Sequence, residues 1–189
     1  MPNVYDWDKT IVSPDSTAQF FYFCLRRHPA LLRYAPWQLA GLVRYLFARG
    51  FTKTQAKAAF YHFLRGLPHW EQEVALFWRQ SHMRPKAWYL AQMRPDDIII
   101  SASPEFLLRP MVRDTLRLRL IASRVDPHTG ATTGENCHGQ EKVRRLREAY
   151  GDVPIQRFYS DSRSDAPLAK LAAQAFLVKG DAVLPWDES

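Results

Sequence analysis

The chain has 189 residues and carries 26 lysines and arginines against 19 aspartates and glutamates, a formal net charge of +7. A hydrophobic content of 47% beside 24% charged residues excludes a disordered chain and describes a globular protein with one substantial core and room for a small appended domain. The positive balance favours anionic partners such as phosphorylated metabolites, nucleic acid or an acidic membrane surface, and two cysteines, Cys24 and Cys137, form neither a disulfide framework nor a metal-ligand spacing.

Val4 to Trp7 reads as a short strand that ends in Asp6 and Asp8, with Thr10 two residues further on. Asp6, Asp8 and Lys9 interrupt any apolar leader, so no secretory signal is expected. Ser13-Pro14-Asp15-Ser16 is turn chemistry, with Ser16 placed to cap a helix. Thr17 to Leu25 is apolar nearly all round and predicts a buried helix. A second helix follows over Pro36 to Ala48. Its Leu39, Leu42, Val43, Leu46 and Phe47 recur at helical spacing, and the stripe is expected to pack on a neighbouring element, the alternative being a membrane-surface role. The surrounding stretch holds Arg33 and Arg44 and is too short to span a bilayer. Thr52 or Thr54 can cap a third helix with a stripe of Ala56, Ala59, Phe60, Phe63 and Leu64. A fourth carries Trp70, Val74, Phe77 and Trp78, and a fifth starts at Pro85.

The pattern changes at Pro95. Ile98-Ile99-Ile100 is a β-branched run suited to a strand buried on both faces, and Ser101-Ala102-Ser103-Pro104 ends it. Glu105 to Val112 reads as a helix, Leu118 to Ala122 as a strand, and His128 to Gly139 as a loop or small hairpin. Gln140 to Tyr150 is a basic helix, Pro154 to Ser160 a strand, Ala166 to Ala173 a helix and Gln174 to Val178 a last strand before a polar tail. This alternation predicts an α/β fold, a Rossmann-like three-layer sandwich with a mostly parallel sheet. The helical block is too long for a crossover connection. It predicts a cap domain over residues 12–93, inserted after the first strand of a core made from residues 1–11 and 94–189.

In a parallel sheet the polar residues at the strand ends converge on one crevice. Asp6 and Asp8 end the first strand, Ser101 the second and Asp161 the fourth, with Asp165 four residues later and Lys142 at a loop-to-helix junction. Several carboxylates, one lysine and one hydroxyl suit a divalent cation bound together with a phosphate. Oxygen ligands from Asp6 and Asp161 match Mg²⁺.

These strand ends carry a resemblance. Asp6-Trp7-Asp8-Lys9-Thr10 resembles the DxDx[TV] motif of the haloacid dehalogenase (HAD) superfamily of phosphohydrolases. Ser101 is similar to its second motif, Lys142 to its third, and Tyr159-Ser160-Asp161-Ser162-Arg163-Ser164-Asp165 to its fourth. The helical insert resembles the C1 cap of the phosphoserine-phosphatase-like subgroup. Ile121-Ala122-Ser123, Gly139-Gln140-Glu141-Lys142-Val143 and Tyr159-Ser160-Asp161-Ser162 are similar to the short bacterial branch that includes a phosphatidylglycerophosphate phosphatase.

The resemblance implies that Asp6 attacks phosphorus to form an aspartyl-phosphate and that Asp8 acts as acid and then base. It implies that Thr10 and Ser101 hold phosphoryl oxygens, that Lys142 neutralises charge, and that Mg²⁺ is held by Asp6, Asp161 and the Asp8 carbonyl. Asp165 would support the metal or orient Lys142, and Asp15 resembles an acidic cap position that touches substrate. One departure stands in the fourth motif, where Ser160 occupies the usual glycine position.

The expected activity is Mg²⁺-dependent hydrolysis of a phosphomonoester, either a small phosphorylated metabolite or a phospholipid headgroup phosphate. The competing reading is a non-catalytic basic module for acidic membranes or nucleic acid. Scattered basic residues without a nucleic-acid signature, and the intact acid set, weigh against it. The expected setting is cytoplasmic, with peripheral membrane contact through the cap and no transmembrane segment.

Overall fold

Alternate residues of the strands enter two different hydrophobic clusters. Val4, Ile98, Ile100, Ile121 and Phe158 pack with Val143, Leu146 and Leu168, whereas Tyr5, Ile99, Leu120 and Tyr159 pack with Phe20, Phe77, Trp78 and Leu107. A sheet apolar on both faces must be covered on both, which makes three layers. The computed structural model describes residues 1–187.

Its six-stranded sheet runs in the order β3-β2-β1-β4-β5-β6. The strands are β1 (Val4–Tyr5), β2 (Ile98–Pro104), β3 (Arg119–Ser123), β4 (Ile155–Ser160), β5 (Ala172–Lys179) and β6 (Ala182–Pro185). The first five are parallel and β6 is antiparallel to β5. The expected Rossmann-like α/β sandwich is therefore present. Tyr5, Tyr159 and Phe176 stack across β1, β4 and β5 with ring centroids 4.7 and 4.9 Å apart, which pins the register of these neighbours.

Helices α7 (Gln140–Tyr150) and α8 (Ala166–Ala169) cover one face, and α6 (Glu105–Arg109) follows β2 on the other. Between β1 and β2 lie α1 (Ser16–Arg27), a 3₁₀ segment (Pro29–Tyr34), α2 (Ala35–Phe47), α3 (Lys53–Phe60), α4 (Trp70–Gln80) and α5 (Ala87–Leu90). Thr52 and Gln55 form a reciprocal capping box at the start of α3. Among the described residues no helix is long and apolar enough to cross a membrane.

Four expectations are corrected. Ser16 is the first helical residue, and the cap is Asp15, whose Oδ1 accepts from the amide of Ala18 at 2.9 Å. Helix α1 is not buried all round: only Ser16, Phe20 and Cys24, one stripe four residues apart, are enclosed. The strand ending near Val178 is not the last, because Gly180 (φ 59°) turns the chain back into β6 within the polar tail. The fourth concerns α2. Its stripe was expected to pack inward, yet Gly41 is its one buried residue, while Leu39 and Leu46 are each 62% exposed and Phe47 81%. At 100° per residue Gly41 lies opposite that stripe. A Cβ on Gly41 would come within 2.4 Å of the Ala59 Cβ, so α2 meets α3 through small residues and turns its large apolar side chains outward.

Candidate active site

β1 lies inside the sheet and is only two residues long, so Asp6 is the first residue beyond it. The Asp6 amide still donates to the carbonyl of Tyr159 at 2.9 Å, which holds its side chain at the carboxyl edge of the strands. Strand order reverses between β1 and β4, the place where open α/β sheets leave a crevice. Beyond Asp6, Lys9 takes a left-handed backbone (φ 59°), and the amides of Ile11 and Val12 return to the carbonyl of Trp7 at 2.9 and 3.1 Å. The fully buried Trp7 ring anchors this tight loop.

Lys142 is the third residue of α7, and its side chain is 2% exposed. Its Nζ donates to Asp6 Oδ1 at 2.5 Å and to Asp165 Oδ2 at 2.7 Å. Burial alone would depress the ammonium, but the two carboxylates push it above its ordinary value. Burial drives the Asp6 carboxyl up to about 7 against the pull of Lys142. Asp165 accepts further bonds from Ser160 Oγ at 2.8 Å and the Gly139 amide at 3.4 Å. Asp165 thus fixes the lysine, and Ser160, standing in the usual glycine position, holds Asp165.

Asp8 has different neighbours. Its Oδ1 accepts from the Ser16 amide at 2.6 Å and its Oδ2 from Ser103 Oγ at 2.5 Å. Burial raises its pKa, and the carboxylate of Asp15 raises it further. The Ser103 hydroxyl also lies 2.7 Å from Thr17 Oγ1 on α1, so one chain of hydrogen bonds ties Asp8 to both β2 and the helical insert.

Thr10 departs from expectation. Fully buried, its hydroxyl donates to Asp6 Oδ2 at 3.3 Å and accepts from the Asp161 amide at 2.8 Å. It is a strut between the two acidic loops, with its bonding already committed, rather than a group free for phosphoryl oxygens.

The remaining groups line a cleft of about 580 Å³. Asp6, Asp8, Ser101, Lys142, Asp161 and Asp165 come from the sheet side, and Asp15, Lys53 and Lys57 from the insert. Asp15 therefore both caps α1 and faces the cleft. Burial raises Asp161, with Lys9 and Lys142 pulling the other way. Among the described residues no three His, Cys, Asp or Glu side chains converge as a metal cage. Two carboxylates, Asp6 and Asp161, facing one cleft is the donor set of a hard cation that keeps its waters, and Mg²⁺ fits it.

Sequence reasoning did not find Ser103, Thr17, Lys53, Lys57 or His138 at this cleft. The Lys57 Nζ donates to the carbonyl of Ala102 at 2.7 Å, and Lys53 Nζ lies 3.0 Å from His138 Nε2. These pairs join α3 to the carboxyl half of β2 and to the loop between β3 and α7. The second small hydroxyl in Ser101-Ala102-Ser103 was the one available signal; nothing in the spacing of α3 marks its lysines.

The model of the haloacid dehalogenase-like hydrolase family matches residues 4–170. Protein CicA of Caulobacter vibrioides is 29% identical over 192 residues, covering 89% of this chain and 81% of that protein. A solved structure of a protein with unknown function from Bordetella pertussis superposes with a TM-score of 0.72 at 22% identity, over 92% of this chain and 87% of that one. The apo structure of a phosphoserine phosphatase superposes at 0.57 with 14% identity, over 91% of this chain and 82% of that one.

Proposed function

The chain belongs to the haloacid dehalogenase-like hydrolases, and from that premise we propose that it is a Mg²⁺-dependent phosphomonoester hydrolase working through an aspartyl-phosphate. One observation carries the reading: two aspartates of a single loop have unlike neighbours. Asp6 lies against an ammonium, whereas Asp8 lies against an amide, a hydroxyl and another carboxylate. Environments that differ in this way assign the nucleophile and the proton carrier.

In the first step a carboxylate oxygen of Asp6 bonds to phosphorus, the ester P–O bond breaks, and Asp8 gives its proton to the departing alcohol oxygen. In the second, Asp8 takes a proton from water, whose oxygen bonds to phosphorus. The acyl–phosphate bond then breaks, releasing inorganic phosphate and Asp6. Lys142, held by Asp165, offsets charge on the nucleophile and the phosphoryl oxygens, and Ser101 faces the same oxygens. Mg²⁺, held by Asp6, Asp161 and the backbone carbonyl of Asp8, would supply further charge neutralisation.

The helices between β1 and β2 act as a C1-type cap, because Asp15, Lys53 and Lys57 close the cleft from that side. The substrate is a small phosphorylated metabolite or a phospholipid headgroup phosphate, and the cap lysines favour an alcohol portion with a negative charge of its own. Free, buried thiols at Cys24 and Cys137 accord with a cytoplasmic setting. Hydrolysis of p-nitrophenyl phosphate tests the chemistry. It is expected with Mg²⁺, abolished by EDTA, and reduced by at least about 10³-fold in Asp6→Asn. Unchanged turnover in that variant sinks the nucleophile assignment. A panel of phosphoserine, a sugar phosphate and phosphatidylglycerophosphate then ranks the substrates.

A further inference from the structure

The outward stripe of α2 lacks a covering partner among the described residues. Leu39, Leu42, Val43, Leu46 and Phe47 are all exposed on one side, opposite the packed Gly41. Large apolar side chains gathered on one face mark an interaction surface. The charge around them says what kind. No aspartate or glutamate occurs between Asp15 and Glu71, while Arg26, Arg33, Arg44 and Arg49 fall in that stretch; Arg27, also there, is already paired with Glu73 at 2.8 Å. Arg33 precedes the helix and Arg49 follows it, so a cation flanks the stripe at each end.

We propose that α2 is an interfacial docking helix for an anionic lipid bilayer, lying in the plane of the membrane with its Leu39–Phe47 stripe among the acyl chains. At 13 residues it is about 20 Å long, too short to cross but suited to lie in the headgroup region. The flanking arginines reach lipid phosphates while their stems stay beside apolar groups. A second copy of this chain is the poorer occupant, because a two-fold contact through α2 would set the arginines around the stripe of one copy against those of the other, and the stretch from 16 to 70 supplies no carboxylate to offset them. Helix α3, on which α2 rests, contributes Lys53 and Lys57 to the cleft, so a docked α2 puts the cleft close to the bilayer surface.

Co-sedimentation with vesicles tests this. The protein is expected to bind vesicles of phosphatidylcholine mixed with phosphatidylglycerol, to bind pure phosphatidylcholine far less, and to release as salt rises. Leu42→Ser combined with Leu46→Ser alters only exposed positions. It is expected to lower partitioning on the order of 100-fold while p-nitrophenyl phosphate hydrolysis stays unchanged. Arg33→Gln combined with Arg49→Gln is expected to lower it about 30-fold and to flatten the salt dependence. No binding to anionic vesicles at low salt overturns the proposal, as does wild-type binding by the leucine variant. So does a dimer, seen by sedimentation velocity, that the leucine variant dissolves while neither form binds lipid.

Discussion

Lys142 has its side chain 2% exposed, and Phe47 is 81% exposed. A lysine belongs in water and a phenylalanine in the core, so the sheet edge and α2 depart from ordinary burial in opposite directions. At the sheet edge the departure is compensated within the molecule. The buried ammonium has two carboxylates, and Asp165 has a hydroxyl and an amide besides. At α2 nothing among the described residues compensates. The contrast separates two departures from ordinary burial, a buried charge balanced within the molecule and an apolar surface left open to solvent, and the first accords with the proposed chemistry and the second with the proposed docking.

If that contrast holds, removing the internal compensation should have the largest effect. Lys142→Met leaves Asp6 and Asp165 buried without a cation, and a loss of about 3–5 kcal/mol is expected in denaturant melts. The deficit should shrink as pH falls, because Asp6, left without its cation, can then take up a proton. A variant as stable as the parent at pH 8 would mean that the cluster is better hydrated than its burial indicates.

Next comes the small-residue contact that turns α2 outward. Gly41→Leu drives a side chain into Ala59 and should cost about 1–3 kcal/mol, read from thermal unfolding. Leu39→Ser on the opposite face is the control and should stay within about 0.5 kcal/mol. Equal losses at both positions would show that the stripe is packed after all. Ser160→Ala removes one of the bonds that hold Asp165 and should cost about 1 kcal/mol, with a matching fall in kcat.

These three sites also mark how far the sequence could be read. The order of the elements up to β5 and the convergence of Asp6, Ser101, Lys142 and Asp161 followed from alternation and from the geometry of parallel strand ends, whereas β6 did not. Periodicity located the α2 stripe but not its direction, because it reports which side chains share a face and is silent on what that face meets. Gly41, Ala56 and Ala59 were the signal for a close helix contact on the other side. Thr10 was legible as part of a motif. Its use as a strut was not, since that depends on the Asp161 amide, which is brought near only by the pairing of β1 with β4.

Lys57 joins the two regions and gives the smallest expected effect, but one with opposed signs. Burial pulls its ammonium down from 10.5 to about 8, with Asp15 and Asp8 resisting. Below pH 8 it is a cation at the cleft wall, able to attract an anionic substrate. Above pH 8 it is neutral there. For a substrate with a second negative charge, kcat/KM should therefore fall several-fold as pH rises through about 8, and the fall should vanish in Lys57→Met. Stability should move the other way. Between about pH 8 and 10.5 the unfolded chain holds the lysine proton that the folded chain has released, so unfolding becomes less favourable as pH climbs. Parallel measurement of kcat/KM and melting temperature across that window checks both signs at once. If the two quantities fell together, alkaline unfolding rather than loss of the Lys57 charge would be the cause, and the lysine would have no part in substrate recognition.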